Sequence, residues 1–398
     1  MDSKKLKVII IGGGIGGPAL ALFLKKAGIS SVIYESRPYE ENVGGGLGLA
    51  PNGLNVLASL GLNEDVINAG TVIKHAWFKN SRGKTLAKIR YSIPEKYEQP
   101  GVAISRASLN KILVDEVKKQ DIPINYNKKL KDIIQQNGEI KAYFDDGSFT
   151  IGDILIGADG IGSAVRKYLL PNGPFPAFTG IVSSAGFIKT EQIKIIKQDE
   201  IDSLNFIYGK NGFFGFSGAG SDEIMWWTNI KVTHPYSRAE LTDFDQQNEK
   251  ESIFKFYGNY ASPVKEIIEK SDNVMRFNVF DVQSLPNWFS GKIMLIGDAA
   301  HAVSPNAGQG ASMALEDAMM LAKLLRNEKT VASAFSTFEA LRKPRVEKIV
   351  QEGRRRGEDK EISGTFKQLI REWMIRIFVN IFGVKGNAWL FDYKIDWD

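Results

Sequence analysis

Near the start of the chain, Gly12, Gly13, Gly14, Ile15, Gly16 and Gly17 have the spacing of a phosphate-binding turn for a dinucleotide. In such a turn Gly12 permits the tight bend, Gly14 lets the backbone approach a pyrophosphate, and Gly17 lets the next helix pack on a sheet. The helix N-terminus would add unpaired N–H groups and a positive dipole end. Glu35 follows Gly17 by 18 residues, close to the roughly 20-residue offset of a ribose-binding carboxylate. Arg37 is a further candidate, on the adenosine side. The turn alone does not separate FAD from NAD.

Two later clusters carry the same kind of signal. One is Gly157, Ala158, Asp159 and Gly160, continuing to Arg166; the other is Gly297, Asp298 and His301, continuing to Pro305, Gly308, Gln309 and Gly310. Each must be held by something rigid, and the surrounding sequence supplies it. Apolar, β-branched runs over 8–11, 151–156 and 292–296 read as buried parallel strands ending at the three clusters. Residues 18–28 and 311–326 read as helices, and a strand over 31–35 completes a βαβ unit. Residues 105–119 alternate as an amphipathic helix, with Arg106 near its start. A glycine-rich loop over 43–51 precedes a short helix over 52–60. After residue 171, aromatic-rich alternation over 206–216 and 224–232 points to an antiparallel sheet. The expected organisation is α/β: a Rossmann-type domain from 1–170 and 286–345, an inserted β-sheet substrate domain over 171–285, and C-terminal helices over 346–398.

Three motifs in this order resemble the class A flavoprotein monooxygenases, the p-hydroxybenzoate hydroxylase-like aromatic hydroxylases, over about residues 7–350. The resemblance implies non-covalent FAD. Asp298 would accept from a ribityl hydroxyl, and Pro305, Gly308 and Gly310 would lie against the flavin ring. Arg106 would stand near the pyrophosphate, with a surface role at a helix start as its alternative. Asp159 would contact FAD and also help hold the fold, through Arg166, with a purely structural role as its alternative. The 43–53 loop resembles the segment beside the ring that moves in relatives. It also implies a transient NAD(P)H, O2 as co-substrate, and hydroxylation through a flavin C4a-hydroperoxide. No second glycine fingerprint with a βαβ setting exists, which disfavours a reductase with separate FAD and NAD domains. An oxidase or dehydrogenase without oxygen insertion, or a non-enzymatic FAD-binding protein, remains the alternative.

Composition removes other classes. The chain has 398 residues and no cysteine, so disulfides, thiolate metal sites and iron–sulfur clusters are excluded. Its three histidines, His75, His234 and His301, lack metal-ligand spacing. The net charge of +5 is spread along the chain, without the dense basic block of a nucleic-acid binder. No run reaches the roughly 18 apolar residues of a membrane span, and no signal-peptide pattern precedes the first strand. A cytoplasmic enzyme acting on a small molecule is expected.

The substrate would lie between the inserted sheet and the flavin. Tyr208, Phe213, Phe216 and Trp226 are candidates to line it, although alternation sends about half of such residues to the opposite face. Urate-hydroxylase-like relatives carry an arginine near 212–214, where this chain has glycine and aromatics. That favours an apolar or polycyclic substrate, with an antibiotic such as a tetracycline among the options. His301 could be a base, or a packing residue beside the flavin loop. Phe366, Leu369, Ile370, Trp373, Met374, Ile377, Phe378, Ile381 and Phe382 recur at helical spacing; the stripe reads as a face packed across the two domains, with an interfacial membrane helix as the alternative. No catalytic side chain and no oligomeric state follow from the sequence.

Overall fold

Continuous apolar runs build the first sheet, because a strand covered by helices on both faces has no exposed side. A computed structural model describes residues 6–38, 44–136, 138–220, 222–303, 307–360 and 365–398. Lys7–Ile11 lies at the centre, parallel to Ser30–Tyr34 on one side and Ile154–Gly157 on the other. Ile293–Leu295 extends the sheet beyond Ile154–Gly157, also in parallel. The register sets Ile11 beside Gly157 and Gly157 beside Leu295. Three strands therefore release their chains at one edge of the sheet, the carboxyl edge where open α/β sheets bind ligands. Helix Gly16–Lys26 packs with Gly310–Asn327 against this layer.

The second sheet has seven strands in the order Val274–Asp281, Ala177–Lys189, Glu223–Lys231, Gly212–Gly218, Ser203–Gly209, His75–Asn80 and Thr85–Arg90. It is not confined to 171–285. The hairpin His75–Asn80 with Thr85–Arg90 adds two strands from the first part of the chain. Its pairing with Ser203–Gly209 is parallel, whereas every other neighbour in this sheet is antiparallel. Ser203–Gly209 would otherwise present an unpaired edge, and the hairpin covers it. One face carries Ile207, Phe214, Phe216, Ile224 and Trp226 against helices Gln246–Tyr257 and Val264–Lys270.

The glycine-rich loop is shorter than the sequence suggests. Its second half, Gly46–Leu49, is a strand paired with Gly101–Ser105, and a helix begins at Pro51. Val43 lies outside the described residues. Helix Val331–Lys360 runs unbroken through residue 346, so no break separates the C-terminal helices from what precedes them. Thr365–Met374 and Asn380–Phe391 follow, joined by a π-helical turn over Ile375–Val379. Leu390, Phe391 and Trp397 are buried in the main core, and the Trp397 ring lies 5.1 Å from that of Phe23. No helix among the described residues is long and apolar enough to cross a membrane.

Candidate active site

The first glycine cluster divides into residues that serve the fold and residues that face space. Gly12 has φ 114°, and a Cβ there would sit 2.3 Å from the Ala158 carbonyl oxygen. A Cβ on Gly17 would meet the Gly12 carbonyl oxygen at 2.0 Å, so only glycine lets the helix approach this closely. At Gly14 nothing lies within 4 Å. Gly14 borders a cavity of about 2270 Å³; Gly17 does not. Glu35 accepts from Gly13 N at 2.6 Å and from Arg37 N at 2.9 Å, so its carboxylate orients the loop while still bordering the cavity. Asn110, which sequence reasoning missed, holds the loop from the other side. Its Nδ2 donates to the carbonyls of Gly13 and Gly14 at 2.9 and 3.0 Å.

Asn110 is placed by helix Arg106–Lys119, whose N-cap Ser105 accepts from Ser108 N. Arg106 is thus the first residue of a helix, exposed and bordering the cavity. A cation at the positive end of a helix dipole is unfavourable unless an anion is also present. Arg37 is exposed and borders the same cavity.

Asp159 caps the short helix Ala164–Leu169. It accepts from Ser163 Oγ at 2.5 Å, Ala164 N at 2.7 Å and Val165 N at 3.2 Å. Burial pushes its carboxyl up, opposed by these hydrogen bonds. The expected hold through Arg166 takes another form. With Asp159 already satisfied by Ser163 and two backbone N–H groups, the buried Arg166 donates to the Ala299 carbonyl at 2.9 Å and to that of Ile161. It ties the second cluster to the third.

In the third cluster Gly297 has φ 58° and Asp298 opens the short helix Asp298–His301. Asp298 borders the cavity and His301 does not. His301 is buried, its Nε2 lies 2.6 Å from Asp317 Oδ2, and its ring lies 5.1 Å from that of Trp288. Asp317 also accepts from Gly297 N at 2.9 Å and from Arg342 Nε at 2.8 Å. Burial alone would raise the Asp317 carboxyl, but the charges of His301 and Arg342 outweigh it and hold it below the usual carboxylate range. The network continues from Arg342 to Glu316, and from Glu316 to Arg345 and Asn52. Asn52 also donates to Gln309 at 3.0 Å. The flank of the Gly308–Gly310 turn is therefore anchored to a buried ion network, and Gly308 and Gly310 themselves face space with nothing within 4 Å. Pro305 lies outside the described residues.

The cavity continues from these turns to the second sheet, where Tyr208 and Phe213 border it. Phe216 does not border it, and Trp226 borders it only beside a ring packed into the opposite layer. Alternation places both on the helix-covered side, where the Trp226 indole stacks on Phe214 and donates to Ser271 Oγ at 2.6 Å. Phe206, Met225 and Trp227 take the cavity side instead. Met374, Ile375 and Val379 of the C-terminal helices close the far end. Ile370 and Trp373, expected on a packed face, are 42% and 59% exposed. Phe366, Leu369, Phe378, Ile381 and Phe382 have side chains outside the described residues.

The glycine cradles bear on whether a dinucleotide fits here. Gly14, Gly160, Gly162, Gly308 and Gly310 would each turn a Cβ into open space, and all five border the one cavity. The residues present fit FAD.

Comparison with known proteins agrees. Residues 5–353 match the family described as FAD binding domain. The chain is 30% identical over 380 residues to aurachin C monooxygenase/isomerase of Stigmatella aurantiaca, covering 94% of each. It superposes on the Klebsiella pneumoniae protein HpxO complexed with FAD and uric acid with a TM-score of 0.84, at 23% identity, covering 94% of this chain and 93% of that one. With tetracycline destructase Tet(55) the TM-score is 0.74 at 22% identity, covering 100% of both chains.

Proposed function

The chain belongs to the class A FAD-dependent aromatic hydroxylases and is an FAD-dependent monooxygenase; within that class we propose that it uses NAD(P)H and O2 to hydroxylate an aromatic or polycyclic small molecule. One observation carries the reading. Three motifs leave three adjacent parallel strands at Ile11, Gly157 and Leu295, around a single cavity that reaches the aromatic face of the second sheet.

Bound FAD supplies the two-electron reduction and the reaction with O2. The protein binds and orients it. The N-terminus of helix Gly16–Lys26 and Gly14 would hold the pyrophosphate, with Arg106 as counter-charge and Arg37 beside the adenosine. Glu35 would accept from the adenosine ribose and Asp298 from the ribityl chain. Gly308 and Gly310 would let the backbone meet the ring, and the positive end of helix Gly310–Asn327 would favour negative charge on its reduced form. Tyr208, Phe213, Phe206 and Trp227 would receive the substrate ring and exclude water from it. The polycyclic option draws on the tetracycline destructase likeness in fold.

The test is a substrate screen scored by stimulated NAD(P)H oxidation, followed by turnover under 18O2. Label in the product supports the reading. Substrate oxidation without label assigns the chain to the oxidases instead.

A further inference from the structure

Arg371 is a buried charge that nothing described so far uses. It sits on helix Thr365–Met374, is 3% exposed, and borders the cavity. Nη2 donates to the Gly209 carbonyl at 2.9 Å, and the guanidinium lies 5.2 Å from the Tyr208 ring centre. Nε and Nη1 are buried and have no hydrogen-bond partner among the described residues. The neighbouring carboxylate, Glu372, accepts instead from Asn80 Nδ2 at 3.2 Å. Burial works against the charge on Arg371, yet a guanidinium keeps its proton inside proteins.

Among the described side chains of this helix, the order of burial is not set by apolarity. Ile370 and Trp373 are exposed while Arg371 is buried beside Met374, so apolar burial alone does not select this orientation. Glu372 supplies some opposite charge, but buried N–H donors without an acceptor are costly until a partner arrives to pair with them.

We propose that Arg371 is the anion-binding residue of the substrate cavity, taking an ionised oxygen, a carboxylate or enolate, on a substrate whose ring lies against Tyr208 and Phe213. The oxygen supplies the partner that Nε and Nη1 lack. The substrate is then aromatic and anionic, not merely apolar. The inference rests on the reading that this cavity holds an aromatic substrate.

The experiment compares 1-hydroxy-2-naphthoate with its methyl ester, binding to FAD-loaded protein by calorimetry. Wild type is expected to prefer the acid by at least about tenfold. Arg371→Met should weaken the acid by about 30-fold or more and leave the ester unchanged, and Arg371→Lys should restore part of the preference. The melting temperature of Arg371→Met should fall little, since the one hydrogen bond lost, to the Gly209 carbonyl, is offset by removal of two buried N–H donors without acceptors. Wild type without a preference, or binding neither probe, overturns the proposal. So does a Met variant that loses acid and ester together with its melting temperature, which makes Arg371 a strut for the helix. Calorimetry needs no turnover, so a chain that prefers the acid yet oxidises its substrate without 18O label would refute the hydroxylase reading and leave this one standing.

Discussion

Asp317 joins His301 to the turn that begins the third motif: its Oδ2 lies 2.6 Å from His301 Nε2 and accepts from Gly297 N at 2.9 Å. A single carboxylate thus fixes both the backbone of the Gly297 turn and the histidine four residues on. Arg342 balances it from the long C-terminal helix.

Removing that charge should be severe. Asp317→Asn would leave Arg342 short of a counter-charge in a fully buried place, at a cost of about 3–5 kcal/mol. The folded carboxyl is held below its ordinary value, so its contribution is complete above the unfolded value of about 3.9 and is lost as pH falls further. The gap in denaturation midpoint between wild type and variant should therefore be full at pH 7 and narrow below about pH 4. A gap independent of pH would show that the Asp317 charge is not what matters.

His301 should behave as a strut. His301→Gln is expected to lower the melting temperature and FAD retention, while turnover per bound flavin keeps the pH profile of wild type. A profile of altered shape would mean that His301 handles protons in the reaction.

Gly12 and Gly14 should separate folding from cofactor binding. Gly12→Ala places a Cβ 2.3 Å from a carbonyl oxygen at positive φ and should yield little folded protein. Gly14→Ala meets nothing in the protein and should fold normally. It should nonetheless lose FAD affinity by about tenfold or more, a change of about 1.4 kcal/mol. Equal FAD affinity in Gly14→Ala and wild type would move the pyrophosphate elsewhere.

Adjacent tryptophans should respond differently. Trp226→Ala empties a packed site under the sheet and should cost about 3–5 kcal/mol of stability. Trp227→Ala, on the cavity side, should raise KM for the substrate with a much smaller change in melting temperature. Denaturant unfolding and steady-state kinetics on both variants check this.

The three motifs were legible because their chemistry depends on local geometry: Gly12 needs its positive φ and Gly17 its close approach whatever surrounds them. Asn110 was not legible, since its contact with Gly13 and Gly14 exists only once the helix is docked. Alternation indicated that Phe213 and Phe214, or Trp226 and Trp227, must face opposite ways, but not which way. The helices Gln246–Tyr257 and Val264–Lys270 decide it by covering one face. The hairpin at 75–90 escaped because its partner strand lies 128 residues further along, His75 beside Ser203. Within the C-terminal stripe, Ile370 and Trp373 are exposed because periodicity locates an apolar face without saying that each residue on it will be buried, and Arg371 is buried between them in sequence.

Ile154–Gly157 pairs directly with Ile293–Leu295, although five of the second sheet's seven strands are encoded between them. The cofactor half can thus close on itself whatever is spliced between those strands, and substrate preference is free to diverge by exchange of that insert. The hairpin His75–Asn80 with Thr85–Arg90 sets the condition on such an exchange. A chimera that swaps 177–281 alone inherits a mismatched sheet edge, and one that moves 75–90 with it carries a complete module.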